Sequence, residues 1–267
     1  MNTTLKSLKG HYPFRLAAPS FIYPADYVTN VRRLAPFLDE IELLFFESRA
    51  DSLPTGALVG ELNRLARDMY ISYNVHLPLD IPLAAPTNGD RQGAVDLLKM
   101  VLERVAPLSA STHTLHLNYG ESDRLPETVR SWQDRLRSSL DRLLGDTSIA
   151  PGKISIETLD YPPHFFAPLV QEFGVSVCLD IGHILYHGFD LGNAVQRYRS
   201  ATTIIHLHGA TRDRDHLSAA ELPGTARETV TNLLKGFTGS LSLEVFTLER
   251  LVSSMETLEQ MMYATNA

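Results

Sequence analysis

Lys153-Ile-Ser-Ile-Glu157 and, after a short intervening segment, Val175-Ser-Val-Cys-Leu-Asp180 are the stretches whose reading decides the fold. In both, apolar residues alternate with small or polar ones, which is the period of a β-strand. Ile154 and Ile156 fall on one face, with Ser155 and Glu157 on the other. Val175, Val177 and Leu179 separate in the same way from Ser176, Cys178 and Asp180. Between the two runs the Pro162-Pro163 pair sits where a helix can start, since proline tolerates a first helical turn. A strand, a helix and a second strand make one unit of a parallel sheet.

The same unit recurs in both directions along the chain. Residues 15–18, 40–46, 71–76, 112–117, 203–208 and 240–246 also read as strands, giving eight with the two above. Helical stripes lie between and after them, the clearest being Val129, Trp132, Leu136, Leu140 and Leu143, then Leu248, Leu251, Val252, Met255, Leu258 and Met262. Eight such units in 267 residues predict a (β/α)8 TIM barrel as a single domain, with residues 1–13 as an N-terminal tail. An open doubly wound sheet would carry G-x-G-x-x-G after its first strand, and the chain has none there.

Composition narrows the function. With 24 Lys+Arg against 31 Asp+Glu the formal charge is −7, so no nucleic-acid partner is expected. The basic clusters at 130–142 and 197–199 fall on predicted outer helices. A 44% hydrophobic content excludes disorder, and no apolar run is long enough to cross a membrane. One cysteine allows no internal disulfide and the opening residues lack a secretory apolar core, which reads as a soluble, cytoplasmic protein. The distinctive feature is ten histidines.

Strand alternation sorts them. In a barrel alternate residues point inward, and in one common register His76, His116, Glu157, Asp180, His206 with His208, and Glu244 stand at the C-terminal ends of six strands. Buried imidazoles and carboxylates are costly unless paired or metal-bound, and these are the ligands of zinc, manganese and iron. His11 lies in the tail, His113 faces outward, His164 follows the proline pair, and His187, four residues after His183, is within reach of the site from a helix turn but reads as a rim or surface residue.

The succession His76-Leu-Pro, His116-Leu-Asn, Ile-Glu157, Asp180-Ile-Gly-His183, His206-Leu-His208-Gly and Leu-Glu244 resembles the endonuclease IV and xylose-isomerase-like barrel superfamily. The resemblance implies two or three divalent ions (Zn, Mn or Fe) held by His76, His116, Glu157, Asp180, His183, His206, His216 and Glu244, with Glu157 as a bridge. The phosphoesterase branch carries an Asp-x-His pair where this chain has Arg214 and His216, which leaves Asp213 or Asp215 for the acidic role. His208 replaces an Asn usual in the endonuclease, as an added ligand or a catalytic acid or base.

Pro19-Ser-Phe-Ile-Tyr-Pro24-Ala-Asp, Ile41-Glu-Leu-Leu-Phe-Phe-Glu47 and Asp215-His-Leu-Ser are similar to the cobamide-remodelling phosphodiesterases of the same superfamily. That similarity implies hydrolysis of the nucleotide-loop phosphodiester of a cobamide, a small-molecule substrate, releasing α-ribazole and cobinamide phosphate. Glu157 and His208 would be catalytic. Phe21, Tyr23, Phe46, Glu47 and Asn118 would line the substrate. Two alternatives use subsets of the same residues: a single-metal sugar isomerase or epimerase on Glu157, Asp180, His206 and Glu244, and an endonuclease at abasic DNA.

Overall fold

A computed structural model describes residues 5–263. Eight parallel strands close in chain order into a barrel: β1 (Arg15–Pro19), β2 (Glu40–Leu44), β3 (Ser72–His76), β4 (His113–Leu115), β5 (Ile154–Glu157), β6 (Ser176–Asp180), β7 (Thr202–His206) and β8 (Ser240–Ser242). Around it run α1 (Tyr27–Leu34), α2 (Gly56–Met69), α3 (Asn88–Val105), α4 (Pro126–Gly145), α5 (Ala167–Phe173), α6 (Ile181–Tyr186), α7 (Leu191–Tyr198), α8 (Gly224–Leu234) and α9 (Leu248–Tyr263). The (β/α)8 expectation is met. Among the described residues no helix is long and apolar enough to cross a membrane.

Helix starts are written locally. Asp26, Thr55, Thr87 and Asp190 each accept a backbone N–H three residues on, capping α1, α2, α3 and α7. Pro126 opens α4, whose buried stripe is Trp132, Leu136, Leu140 and Leu143. This apolar layer between barrel and helices takes up outward strand residues such as Ile154, Ile156, Val177 and Leu179, all fully buried. The segment before β1 packs as well: Leu5 and Leu8 join the core, and Lys9 Nζ donates to the carbonyls of Ala35 (3.2 Å) and Met69 (2.7 Å).

The inside of the barrel is polar and layered. Near its N-terminal end Ser155 Oγ bonds Thr112 Oγ1 (2.5 Å) and Thr203 Oγ1 (2.7 Å), while Glu40 accepts from Ser240 and lies 3.5 Å from Arg15 Nε. A register shift between Val177 and Cys178 then brings Asp180 opposite His206. Towards the C-terminal end the regular strands stop earlier than the alternation does. They end at Leu44, Leu115, His206 and Ser242, a few residues short of the predicted limits, although Leu207 still donates to the Ser242 carbonyl and accepts from the Glu244 N–H, and His116, His208 and Glu244 keep the inward phase.

Candidate metal centre

The C-terminal mouth gathers the titratable side chains. Glu157 Oε2 lies 3.0 Å from His76 Nε2 and 2.8 Å from His116 Nε2. Its other oxygen, Oε1, lies 3.4 Å from both His183 Nδ1 and His206 Nδ1. Asp180 Oδ2 is 3.4 Å from His183 Nδ1 and 3.6 Å from His206 Nδ1, and Glu244 Oε2 is 3.2 Å from His206 Nδ1. Asp180 also caps α6 by accepting the His183 N–H at 2.6 Å, so one carboxylate fixes both the helix and the imidazole it presents.

A third cluster stands against the first two. His208 is fully buried, with Nε2 3.1 Å from Asp180 Oδ1 and Nδ1 3.1 Å from Asp215 Oδ1. His216 stacks on it at 4.3 Å between ring centroids, 8° from parallel. The chain turns back here through the antiparallel pairing of Gly209 with Leu217, and His216 takes a left-handed φ of 51°. A non-glycine residue in that region is held there by its surroundings. Of the two acids left open by the sequence, Asp215 reaches this cluster, lying also 3.6 Å from His183 Nε2.

Potential ligand atoms converge within 4.8 Å in overlapping groups: His76, His116 and Glu157; Glu157, Asp180, His206 and Glu244; His183, His208 and His216. The buried Cys178 thiol adjoins the second group through Glu157 and His206. Glu157 Oε1, His206 Nδ1 and Glu244 Oε2 are buried without a hydrogen-bond partner while facing one another. Orphaned buried polar atoms are rare, and a cation at their focus would satisfy all of them at once. Carboxylate oxygen and imidazole nitrogen suit zinc, manganese or iron, so the residues present fit a divalent ion.

Electrostatics holds this donor set together. Burial disfavours every charged form, but opposite charge prevails at most positions. Against burial, the His116 and His206 imidazoles hold the Glu157 carboxyl well below its usual range. His183 and His208 likewise overcome burial to bring Asp180 down to about 2. Asp180 and Glu157 raise His183 to about 10 despite burial, and His206 and His208 are raised as well.

The aromatic residues divide. Phe21 packs edge-on against Phe46 (4.8 Å between centroids), Phe46 lies 6.4 Å from Phe246, and Phe246 is 5.2 Å from the His216 ring. They form one wall of the mouth, and Phe46 is 38% exposed. Tyr23 instead lies under the Arg33 guanidinium, 4.6 Å from its ring centre. Glu47 is engaged by Ser52 (3.3 Å) and Arg49 (3.7 Å), and Asn118 Nδ2 donates to the Leu79 carbonyl (2.7 Å). His113 sits under the helical layer, its Nδ1 3.2 Å from the Lys153 carbonyl oxygen, in a cleft of about 560 Å³ that shares no residue with the mouth.

Sequence reasoning missed two residues that the fold brings here. Glu42 Oε1 lies 2.9 Å from His206 Nε2, and Phe246 completes the aromatic wall. Glu42 carried a signal, because Glu40-Ile-Glu42 alternates like the other strands.

A closed parallel barrel with a His and carboxylate cluster at its C-terminal mouth defines a barrel of the enzyme-bearing kind. Residues 37–261 match the family described as xylose isomerase-like TIM barrel, and the chain belongs to it. No curated protein matches the chain in sequence. Among solved structures, it is similar to a D-tagatose 3-epimerase-like protein (18% identity, 95% of this chain and 98% of the other, TM-score 0.80). It is also similar to an L-ribulose 3-epimerase (13% identity, 95% and 96%, TM-score 0.73) and to SacUVDE (11% identity, 92% and 98%, TM-score 0.68). At these identities the likeness is one of fold.

Proposed function

We propose that the protein is a metal-dependent phosphodiester hydrolase that cleaves the nucleotide loop of a cobamide. The observation that carries this reading is the position of Glu157 between two ligand groups, one oxygen against His76 and His116 and the other towards His206. A sugar epimerase needs one ion for its proton transfer next to a carbonyl, and His76 and His116 are surplus to it. We assign His76, His116 and Glu157 to one ion, and Glu157, Asp180, His206 and Glu244 to another. His183, His208 and His216 would hold a third, with Asp215 beside them.

Bound divalent ions supply a water of lowered pKa and positive charge for the phosphoryl oxygens. The chain's own residues do the rest. Glu157 would help hold the ions and orient the attacking water, whose oxygen bonds to phosphorus while the ester bond to the ribazole oxygen breaks. That oxygen takes up the proton lost by the attacking water and leaves as α-ribazole, and the phosphate stays on cobinamide. Both ring nitrogens of His208 are engaged, Nε2 facing Asp180 and Nδ1 facing Asp215 while accepting the His216 N–H, which argues against direct proton transfer by it. Phe21, Phe46 and Phe246 offer flat apolar surface to the lower base or the corrin edge.

Incubating metal-replete protein with an adenosylcobamide should release α-ribazole, and a chelator should abolish the release. An intact nucleotide-loop phosphodiester under metal-replete conditions would overturn the reading. The second reading, a sugar epimerase, is favoured by the self-sufficiency of the Glu157, Asp180, His206 and Glu244 group. One ion per chain together with ketose turnover would establish it. Cleavage at abasic DNA has less support, since Arg130, Arg142 and Arg197 lie on α4 and α7 in the outer layer.

A further inference from the structure

The inner face of β2 repeats one arrangement two residues apart. Glu40 accepts from Ser240, and Glu42 accepts from Ser242 at 2.5 Å; both carboxylates are fully buried. They differ in the group that faces them. Glu40 has Arg15 at 3.5 Å, whereas Glu42 faces the His206 ring, with Nε2 2.9 Å from Oε1 and neither atom hydrogen-bonded to any other group. On the far side of that ring, Nδ1 faces Glu157, Asp180 and Glu244 at 3.2 to 3.6 Å. His206 therefore stands between a carboxylate that none of the ligand groups uses and the focus of three that do.

We propose that Glu42 is a positioning residue which fixes His206 with its proton on Nε2 and its lone pair on Nδ1. An imidazole can offer a lone pair from only one nitrogen when the other carries the proton, so the neighbour of the second nitrogen selects the one that can bind a cation. Histidine ligands characteristically hand the second N–H to a carboxylate, and losing that partner lowers metal affinity 10- to 100-fold. Three features of the chain set up this arrangement. The register of β7 against β8 aligns His206 with Ser242. The Ser242 hydroxyl occupies Glu42 Oε2, leaving Oε1 for the ring. Asn74, aligned with Glu42 on β3, has no hydrogen-bond partner for its side chain and does not compete for the carboxylate.

The inference rests on the metal site proposed above and not on the identity of the substrate. Its test is zinc titration of the full chain against a chromophoric chelator, paired with the imidazole ¹⁵N spectrum of the zinc-loaded protein. E42Q should bind zinc 10- to 100-fold more weakly at the Glu157, Asp180, His206 and Glu244 group. The His206 resonances should move away from the Nε2–H form. S242A, which keeps the charge but frees the second oxygen, should show the same change to a smaller degree and serves if E42Q folds poorly. E40Q, one layer lower, should lower stability without altering zinc affinity. Wild-type zinc affinity in E42Q and S242A with the His206 Nε2–H signature retained would overturn the proposal. Failure of wild-type protein to bind zinc would instead remove the metal site on which the inference rests.

Discussion

Gly182 offers a sharp test of how the third ligand cluster is packed. It lies in α6 with no left-handed φ, so alanine suits its backbone, and helix propensity alone favours Gly182→Ala by about 1 kcal/mol. A Cβ there would overlap the His208 imidazole. That ring has nowhere to go: it is fully buried, pinned at 3.1 Å by both Asp180 and Asp215, and covered by His216 at 4.3 Å. Forcing an extra methyl into a filled site costs about 1–3 kcal/mol, so the net expectation is a loss of about 1 kcal/mol. For a domain of this size that lowers Tm by about 2–4 °C. Zinc bound per chain should fall as well, because His208 leaves the group it forms with His183 and His216. Gly60, inside α2 with open space around its Cβ position, is the control, and G60A should raise Tm. The assay is differential scanning calorimetry with zinc analysis of the same samples. If G182A proves as stable as G60A and keeps its zinc, the packing argument for His208 fails.

Glu157→Gln should weaken zinc binding by at least the 10- to 100-fold that loss of a supporting partner costs, because it touches two ligand groups, and should abolish α-ribazole release; zinc titration and product chromatography read both. Phe246→Ala should raise KM for the cobamide about tenfold, the equivalent of one lost aromatic contact, with zinc content unchanged, and a steady-state assay checks it. His113 supplies a pH dependence remote from the mouth. Burial lowers its pKa to about 4, so the folded state binds its proton later than the unfolded chain, for which about 6.5 is usual. Its contribution, about 3 kcal/mol, is fully present above pH 6.5 and is lost as the pH falls from about 6.5 towards 4. In urea titrations across that window H113N should be less pH-dependent than wild type, and identical slopes would refute the argument.

The strands were legible because one face of each is apolar and the other small or polar, and in a closed barrel both faces are buried against different surroundings. Ser155 and Ile156 are equally inaccessible, one among hydroxyls inside the barrel and the other under the helices. Strand ends were less legible. The alternation of 112–117 and 203–208 continues through His116 and His208, but the regular strands end before them as the chain leaves for its loop. Side-chain phase outlasts the regular strand. That is why a common inward phase for these side chains was legible from strands drawn too long.

The residues that escaped reading share a different cause. Glu42 sits one layer below the mouth, where the other strands carry small or uncharged residues such as Asn74, Cys178 and Ser242. Reading only strand ends for charge passes over it, although two buried carboxylates on one strand call for two explanations. Arg15 accounts for Glu40. Glu42 Oε1 faces His206 Nε2 at 2.9 Å, and neither that pair nor the second His206 nitrogen, turned towards the mouth, has a hydrogen-bond partner. The choice of Asp215 over Asp213 is likewise invisible in sequence, because it depends on where the Gly209–Leu217 pairing turns the loop. Buried charge that local structure does not compensate points to a ligand, and tracing each carboxylate to its partner finds that ligand's place more surely than a motif does.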